Sequence, residues 1–263
     1  VTTETKPSSV DSNILVEDVG RVCVITLNRP EVRNALDAAT ARDLAAAVDR
    51  LDASPDLSVG ILTGAGGTFC AGFDLAAFLR GESASIAGRG FGGIAQHMRT
   101  KPLIAAVEGW AVAGGFELVL SCDLIVAAAN AQFGLPEVKR GLLAAGGGLV
   151  RLPQRLPYHV AMEIALTGNP LTARRAAEFG LVNAVAAEGE ALAGALGLGE
   201  AIAQNAPLAV QGTRRVIQIS AGVPEAVALE GQSEVVATVF ASADAQEGAR
   251  AFKEKRPPAW AGR

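Results

Sequence analysis

Two glutamates twenty residues apart, Glu117 and Glu137, each follow a glycine-containing turn. Glu117 lies in Ala113-Gly114-Gly115-Phe116-Glu117-Leu118, and Glu137 in Phe133-Gly134-Leu135-Pro136-Glu137-Val138. A Gly-Gly pair opening an apolar helix leaves backbone N–H groups without intrahelical partners, free to hold a negative oxygen. A carboxylate one turn into that helix, beside Phe116, Leu118, Val119 and Leu120, is costly to bury unless it handles protons. Two carboxylates next to an anion-holding pair of amides are what addition of water to an activated C=C bond requires. Each glutamate alone also has a structural reading. Glu117 could form a surface salt bridge. Glu137, one residue after Pro136, sits in a first helical turn, where the dipole favours a negative charge.

A second glycine turn, Phe69-Cys70-Ala71-Gly72-Phe73-Asp74, reads in two ways. It is a strand-to-helix turn capped by Asp74, or it presents the Phe73 N–H to an oxygen that gains negative charge, with the Gly114 N–H as the second donor. Ala144-Ala145-Gly146-Gly147-Gly148 reads as a flexible turn, and a free Ala145 N–H could hold a water between the glutamates. The closing segment, residues 252–260, is either a solvated charged tail or a segment docked near an anionic ligand, its cations bracketed by Phe252 and Trp260.

These residues need elements to position them. Residues 14–17 and 22–27 are β-branched runs around Gly20-Arg21 and predict a hairpin. Residues 37–51 have helical apolar spacing, with Leu44, Val48 and Leu51 on one face. Strands are expected at 59–64, 103–107, 124–129 and 182–185. Helices are expected around Glu117 and at 160–166, 173–179 and 188–203. Residues 81–93, rich in Gly, Ser and Ala, predict a mobile loop. The pattern is α/β without a strict repeat. Residues 207–222 and 224–241 each start with Pro as helices do. Their Ala/Val-rich faces exceed what solvent needs and predict subunit contact. The expected organisation is a flexible tail (1–12), a catalytic core (13–203) and a C-terminal helical oligomerisation region (204–263).

Half of the residues are hydrophobic and 19% are charged, which supports a sizeable core and argues against global disorder. The apolar runs are too short to span a bilayer, so no membrane partner is expected. The net charge of −4 argues against nonspecific nucleic-acid binding. Cys23, Cys70 and Cys122 are scattered singly and read as reduced core thiols, and the only two histidines, His97 and His159, are far apart. No metal site is expected, and the chain reads as a soluble cytoplasmic protein.

Taken together the motifs resemble the crotonase (enoyl-CoA hydratase/isomerase) superfamily over nearly the whole chain. They are Leu27-Asn28-Arg29-Pro30 with Arg33-Asn34-Ala35-Leu36, the Phe69 to Leu75 turn, residues 105–123, Phe133-Gly134-Leu135-Pro136-Glu137, Arg151-Leu152-Pro153 and residues 252–256. The resemblance implies a crotonase-like spiral of ββα units with a C-terminal helical region that forms trimers, often paired into hexamers. It implies an acyl-CoA substrate whose thioester oxygen is held by the Phe73 and Gly114 N–H groups, with no separate cofactor because coenzyme A is part of the substrate. Members that hydrate enoyl-CoA carry both carboxylates, matching Glu117 and Glu137; isomerases generally keep only the one matching Glu137. Arg33, Ala35, Ala71 and Phe73 match the coenzyme A side of the site. Lys255 matches a basic position that can reach a neighbouring subunit's coenzyme A. The chain departs from the hydratase pattern at Ala113 and Ala145, where glycine is common. The implied activity is hydration of trans-2-enoyl-CoA. The alternatives are isomerisation or thioester hydrolysis on acyl-CoA, or a non-catalytic acyl-CoA binder.

Overall fold

A computed structural model describes residues 12–263; the tail expected at 1–12 lies outside the described residues except for Ser12. The chain opens with β1 (Ile14–Val19) and β2 (Val22–Leu27), paired antiparallel across Gly20, whose φ of +59° suits glycine. Helix α1 (Ala38–Ala53) follows, its first turn capped by Asp37, which accepts the Thr40 N–H. Then come β3 (Val59–Gly64), α2 (Leu75–Leu79), β4 (Ser85–Ile86), β5 (Gly90–Phe91), β6 (Leu103–Val107), β7 (Trp110–Val112) and α3 (Gly114–Ser121). Next are β8 (Leu124–Ala128), β9 (Gln132–Gly134), a 3₁₀ turn (Pro136–Arg140), α4 (Gly148–Arg155), α5 (Tyr158–Thr167), β10 (Leu171–Thr172), α6 (Ala173–Glu178) and β11 (Ala184–Ala186). Four helices end the chain: α7 (Ala191–Ala203), α8 (Pro207–Ser220), α9 (Glu225–Phe240) and α10 (Ala243–Glu254).

The main sheet has the order β1-β2-β3-β6-β8-β11, antiparallel only at the β1–β2 edge. A second sheet runs β10-β9-β7, and Cys70 bridges in parallel to Ala111 of β7. The chain therefore alternates between layers. A main-sheet strand is followed by an extended segment in the second sheet and then by a helix: β3, Cys70, α2; β6, β7, α3; β8, β9, the 3₁₀ turn. These are the successive strand–strand–helix turns of a spiral, and each helix starts beside the second sheet.

Both faces of the main sheet are covered, so its strands read as continuous apolar runs. Side chains still alternate between two cores. Cys23, Ile25, Leu27, Leu103, Ala105 and Val107 join the larger core with α1 and α3, whereas Val22, Val24, Ile104 and Ala106 face α7. Residues 81–93 differ from the expected loop: β4 and β5 pair as an antiparallel hairpin, with Phe91 and Ile94 buried against the core. Helix α10 also goes beyond the sequence reading. Asp244 in its first turn accepts N–H groups of Ala261 and Gly262, and the Trp260 indole donates to the Gln204 carbonyl at 2.7 Å, so residues 260–262 are docked. Helix α8 is tied to the core through Asp123, which accepts from Arg99, Arg214 and the Leu103 N–H. No helix among the described residues is long and apolar enough to cross a membrane.

Candidate active site

Phe73 is placed by the turn that follows Cys70. The Cys70 N–H donates to the Trp110 carbonyl and its carbonyl accepts from Val112, which fixes the turn to β7. The Leu36 N–H then donates to the Gly72 carbonyl, and the Asp74 N–H to the Leu36 carbonyl. That ladder skips Phe73, whose N–H has no partner among the described residues. Gly114 is the first residue of α3, where no intrahelical acceptor exists, and its N–H is likewise unpaired. The two amides come from adjoining strands of chain: a Cβ built on Gly72 would fall 2.8 Å from the Gly114 nitrogen. Glycine is needed at 114 and 115 because a Cβ there would strike the Phe91 ring and the Cys70 carbonyl, respectively. Ala113, just before them, is held at φ 52°, ψ −130°, a conformation that a side chain disfavours. Asp74 does cap α2, accepting the N–H groups of Ala76 and Ala77. The capping and donor readings of this turn are both compatible with it.

Glu117 lies one turn into α3 and is only 3% exposed. The Gly148 N–H, which opens α4, donates to its Oε1 at 2.9 Å. Burial pushes the Glu117 carboxyl above its usual range, while amide hydrogen bonds from Gly148 and Gly146 and the charge of Arg151 act the other way. A Cβ built on Gly146 would fall 2.6 Å from Glu117 Oε2, so the glycine run at 146–148 is the cradle of this carboxylate.

Glu137 sits in the first turn of the 3₁₀ turn after Pro136. Its Oε2 is buried without a hydrogen-bond partner among the described residues. Its pKa is pushed up to about 7, first by burial, with the negative charge of Glu117 adding and its own backbone N–H and Arg140 opposing. The two carboxyls thus differ in kind. Glu117 keeps fixed donors that favour its anion, whereas burial, one unpartnered oxygen and the nearby charge of Glu117 favour the neutral form of Glu137.

One cavity of about 620 Å³ brings together Arg33, Ala35, Ala71, Phe73, Gly114, Glu117 and Glu137, along with Ala145, whose N–H is unpaired among the described residues. Lys255 is not part of that lining; it ends α10 in a left-handed conformation at the surface. Three features escaped the sequence reading: the Gly148 donor, the Phe91 ring against Gly114, and Arg140 near Glu137. The triple glycine was the one visible signal for the first. A larger cavity of about 1210 Å³ lies between α8 and the core and contains neither glutamate. Cys23, Cys70 and Cys122 are buried and free, and no group of three or more acidic, His or Cys residues able to hold a metal occurs among the described residues.

Two unpaired amides facing the same cavity as an anion-favouring and a proton-holding carboxyl define a site suited to a carbonyl compound that becomes enolate-like while protons move at its neighbouring carbons. The sequence model of the enoyl-CoA hydratase/isomerase family matches residues 17–263, and the chain belongs to that family. It is 45% identical over 251 residues to enoyl-CoA hydratase EchA19 of Mycobacterium tuberculosis, covering 93% of this chain and 94% of that protein. It is 40% identical to the mevalonyl-coenzyme A hydratase sidH of Aspergillus fumigatus, covering 91% of each. A crystal structure of an enoyl-CoA hydratase from Mycobacterium tuberculosis H37Rv matches with a TM-score of 0.93 at 55% identity, over 95% of this chain and 99% of that one.

Proposed function

We propose that this chain is an enoyl-CoA hydratase, a hydro-lyase that adds water reversibly and syn to a trans-2-enoyl-CoA to give the 3-hydroxyacyl-CoA. The observation that carries the reading is the convergence of Glu117, Glu137 and the unpaired Phe73 and Gly114 amides on one cavity. The thioester carbonyl polarises the double bond. As water attacks Cβ, charge moves onto the thioester oxygen, where the two amides stabilise it, each by about 3 kcal/mol for a positioned oxyanion donor. Glu117, anionic and held by Gly148, orients the water and takes its proton. Glu137 delivers a proton to Cα. Isomerisation needs a single base and leaves the buried Glu117 without a task; the same holds for a non-catalytic binder.

Arg33, Ala35, Ala71 and Phe73 take the coenzyme A side, and remote binding energy from that moiety keeps the enoyl group in register. No separate cofactor enters the mechanism. Lys255 is assigned to a neighbouring subunit's coenzyme A, which fits its surface position at the end of α10. Assembly as a trimer, or as paired trimers, is supported by α9, none of whose residues is buried within the chain. Three buried free thiols suit a reducing compartment, and we place the protein in the cytoplasm.

The test is loss of enoyl-thioester absorbance with the product identified by mass. Glu117→Gln and Glu137→Gln each lower turnover roughly 10²- to 10⁴-fold while acyl-CoA still binds. Near-parent turnover in either variant would remove that residue from the reaction.

A further inference from the structure

The reaction leaves the Arg151-Leu152-Pro153 motif without a task. Arg151 lies one turn into α4, just after the glycine run that cradles Glu117. Its guanidinium spans two backbone carbonyls: Nη1 donates to Gly146 at 3.3 Å, and Nη2 donates to Ala95. Both acceptors belong to the framework of the site. A Cβ on Gly146 would meet Glu117 Oε2, and Gly148, two residues on, donates its N–H to Oε1. Ala95 donates its own N–H to the Phe91 carbonyl. The Phe91 ring in turn fills the space that a Cβ on Gly114 would need, beside one of the two unpaired amides. Gly147 has a φ of +105°, and a Cβ built there would strike the Arg151 guanidinium. The three glycines are thus shared: Gly146 and Gly148 make room for Glu117, and Gly147 makes room for Arg151. A planar guanidinium holds two carbonyls at a fixed spacing, which a lysine ammonium on its flexible stem does not.

We infer that Arg151 is a positioning residue for the hydration: it locks the glycine cradle onto the Phe91 segment, so that Glu117 is held as the base while the Gly114 amide keeps its aim. The inference rests on the hydratase reading of the same site. The charged and titratable groups around this unit are Glu117 and Glu137 in the site, and Arg99, Arg155 and Cys122 near Arg151. Arg151 is the one cation among the described residues whose charge favours the Glu117 anion. Without that charge the anion is disfavoured, and Glu117 takes up its proton at a higher pH as the solution is acidified.

The experiment follows kcat and KM for crotonyl-CoA against pH in the parent, Arg151→Gln, Arg151→Lys and Arg155→Gln. Arg155 is the control: it ends the same helix but donates to the Leu120 carbonyl rather than to the cradle. Arg151→Gln is expected to lower kcat about 10²-fold with KM little changed, the scale for a misplaced catalytic group, and to move the acid limb of kcat to higher pH. Arg151→Lys keeps the charge but not the fork, so its acid limb stays with the parent's and only part of the lost kcat returns. Arg155→Gln leaves the acid limb in place. An acid limb that stays put in Arg151→Gln, or a loss confined to KM, would overturn the inference, as would an equal shift in Arg155→Gln. If circular dichroism shows that Arg151→Gln does not fold, Arg151→Lys decides: a lowered kcat with the parent's acid limb supports the clamp, and an unchanged kcat overturns it. If the parent hydrates no ester, the hydratase reading is what fails. Carbon NMR of glutamate-labelled protein, with the Glu117 signal identified by its loss in Glu117→Gln, then tests Arg151 separately. Titration of that carboxyl at higher pH in Arg151→Gln than in the parent supports the inference, and titration at the same pH overturns it.

Discussion

Helices α3 and α9 are both rich in apolar residues, yet seven of the eight residues of α3 are buried and none of the sixteen of α9 is. Helix α3 is enclosed by its own chain. Cys70 meets Gly115, Phe91 meets Gly114 and the Gly148 amide meets Glu117. Its geometry is therefore set by contacts within the chain, as the proposed holding of an oxyanion and a water would require. Helix α9 packs on α8 and shows Val227, Leu229 and Phe240 to the outside. The site is thus assembled within one chain, whereas the exposed face of α9 is what the proposed contact with another copy would cover.

The sharpest way to break this contrast is to add one carbon to a glycine in each helix. Gly115→Ala drives a Cβ into the Cys70 carbonyl. Displacing the Phe73 and Gly114 amides is expected to cost about 10²-fold or more in kcat, the scale of one lost oxyanion donor, with a lowered Tm besides. In α9, Gly231→Ala meets only Ile219 Cδ1 at 3.4 Å, an ordinary contact. It is expected to leave activity intact and to stabilise by up to about 1 kcal/mol through helix propensity. Equal kinetic damage from both would erase the distinction.

Leu229→Asp puts a charge on the open face of α9. It is expected to dissociate the assembly in sedimentation while circular dichroism keeps the helical content. An unchanged sedimentation coefficient would show that this face is solvent-facing. Ala113→Gly is a smaller perturbation inside the rigid region. Removing the Cβ at φ 52°, ψ −130° relieves backbone strain and is expected to raise stability by about 1 kcal/mol in denaturant melts, less a few tenths for the freer unfolded chain.

The smallest expected effect concerns pH. Glu137 must be protonated to act as acid, so kcat/KM for hydration is expected to fall as pH rises through about 7. Arg140 lowers the Glu137 pKa, so Arg140→Leu raises it. The acid form then persists to higher pH and the alkaline limb moves upward. An alkaline limb that stays put or moves downward would contradict this assignment. The two carboxyls interact, so the limbs belong to the pair.

Much of this was legible in the sequence because it depends on local pattern. The hairpin at Gly20, α1, and β3, β6 and β8 announce themselves by period and punctuation. The sequence reading also named Phe73, Gly114, Glu117 and Glu137, which the fold brings to one cavity. What stayed hidden is three-dimensional. The strands β4 and β5 are two residues each, too short for any period, and of their four residues only Phe91 is buried. The Gly146 to Gly148 run reads as a flexible turn because nothing local reveals that a carboxylate from another helix leaves no room for a Cβ. Lys255 shows the converse: its motif is plain, but within one chain it does not line the site.

The central claim is that Glu117 and Glu137 act as a unit on one water. A double-mutant cycle of single-turnover hydration rates, using Glu117→Gln, Glu137→Gln and both together, tests it most directly. The account predicts strong non-additivity, with the double variant little slower than the slower single one. Losses that multiply across the cycle would show the two carboxyls working independently, and the shared-water arrangement would be wrong.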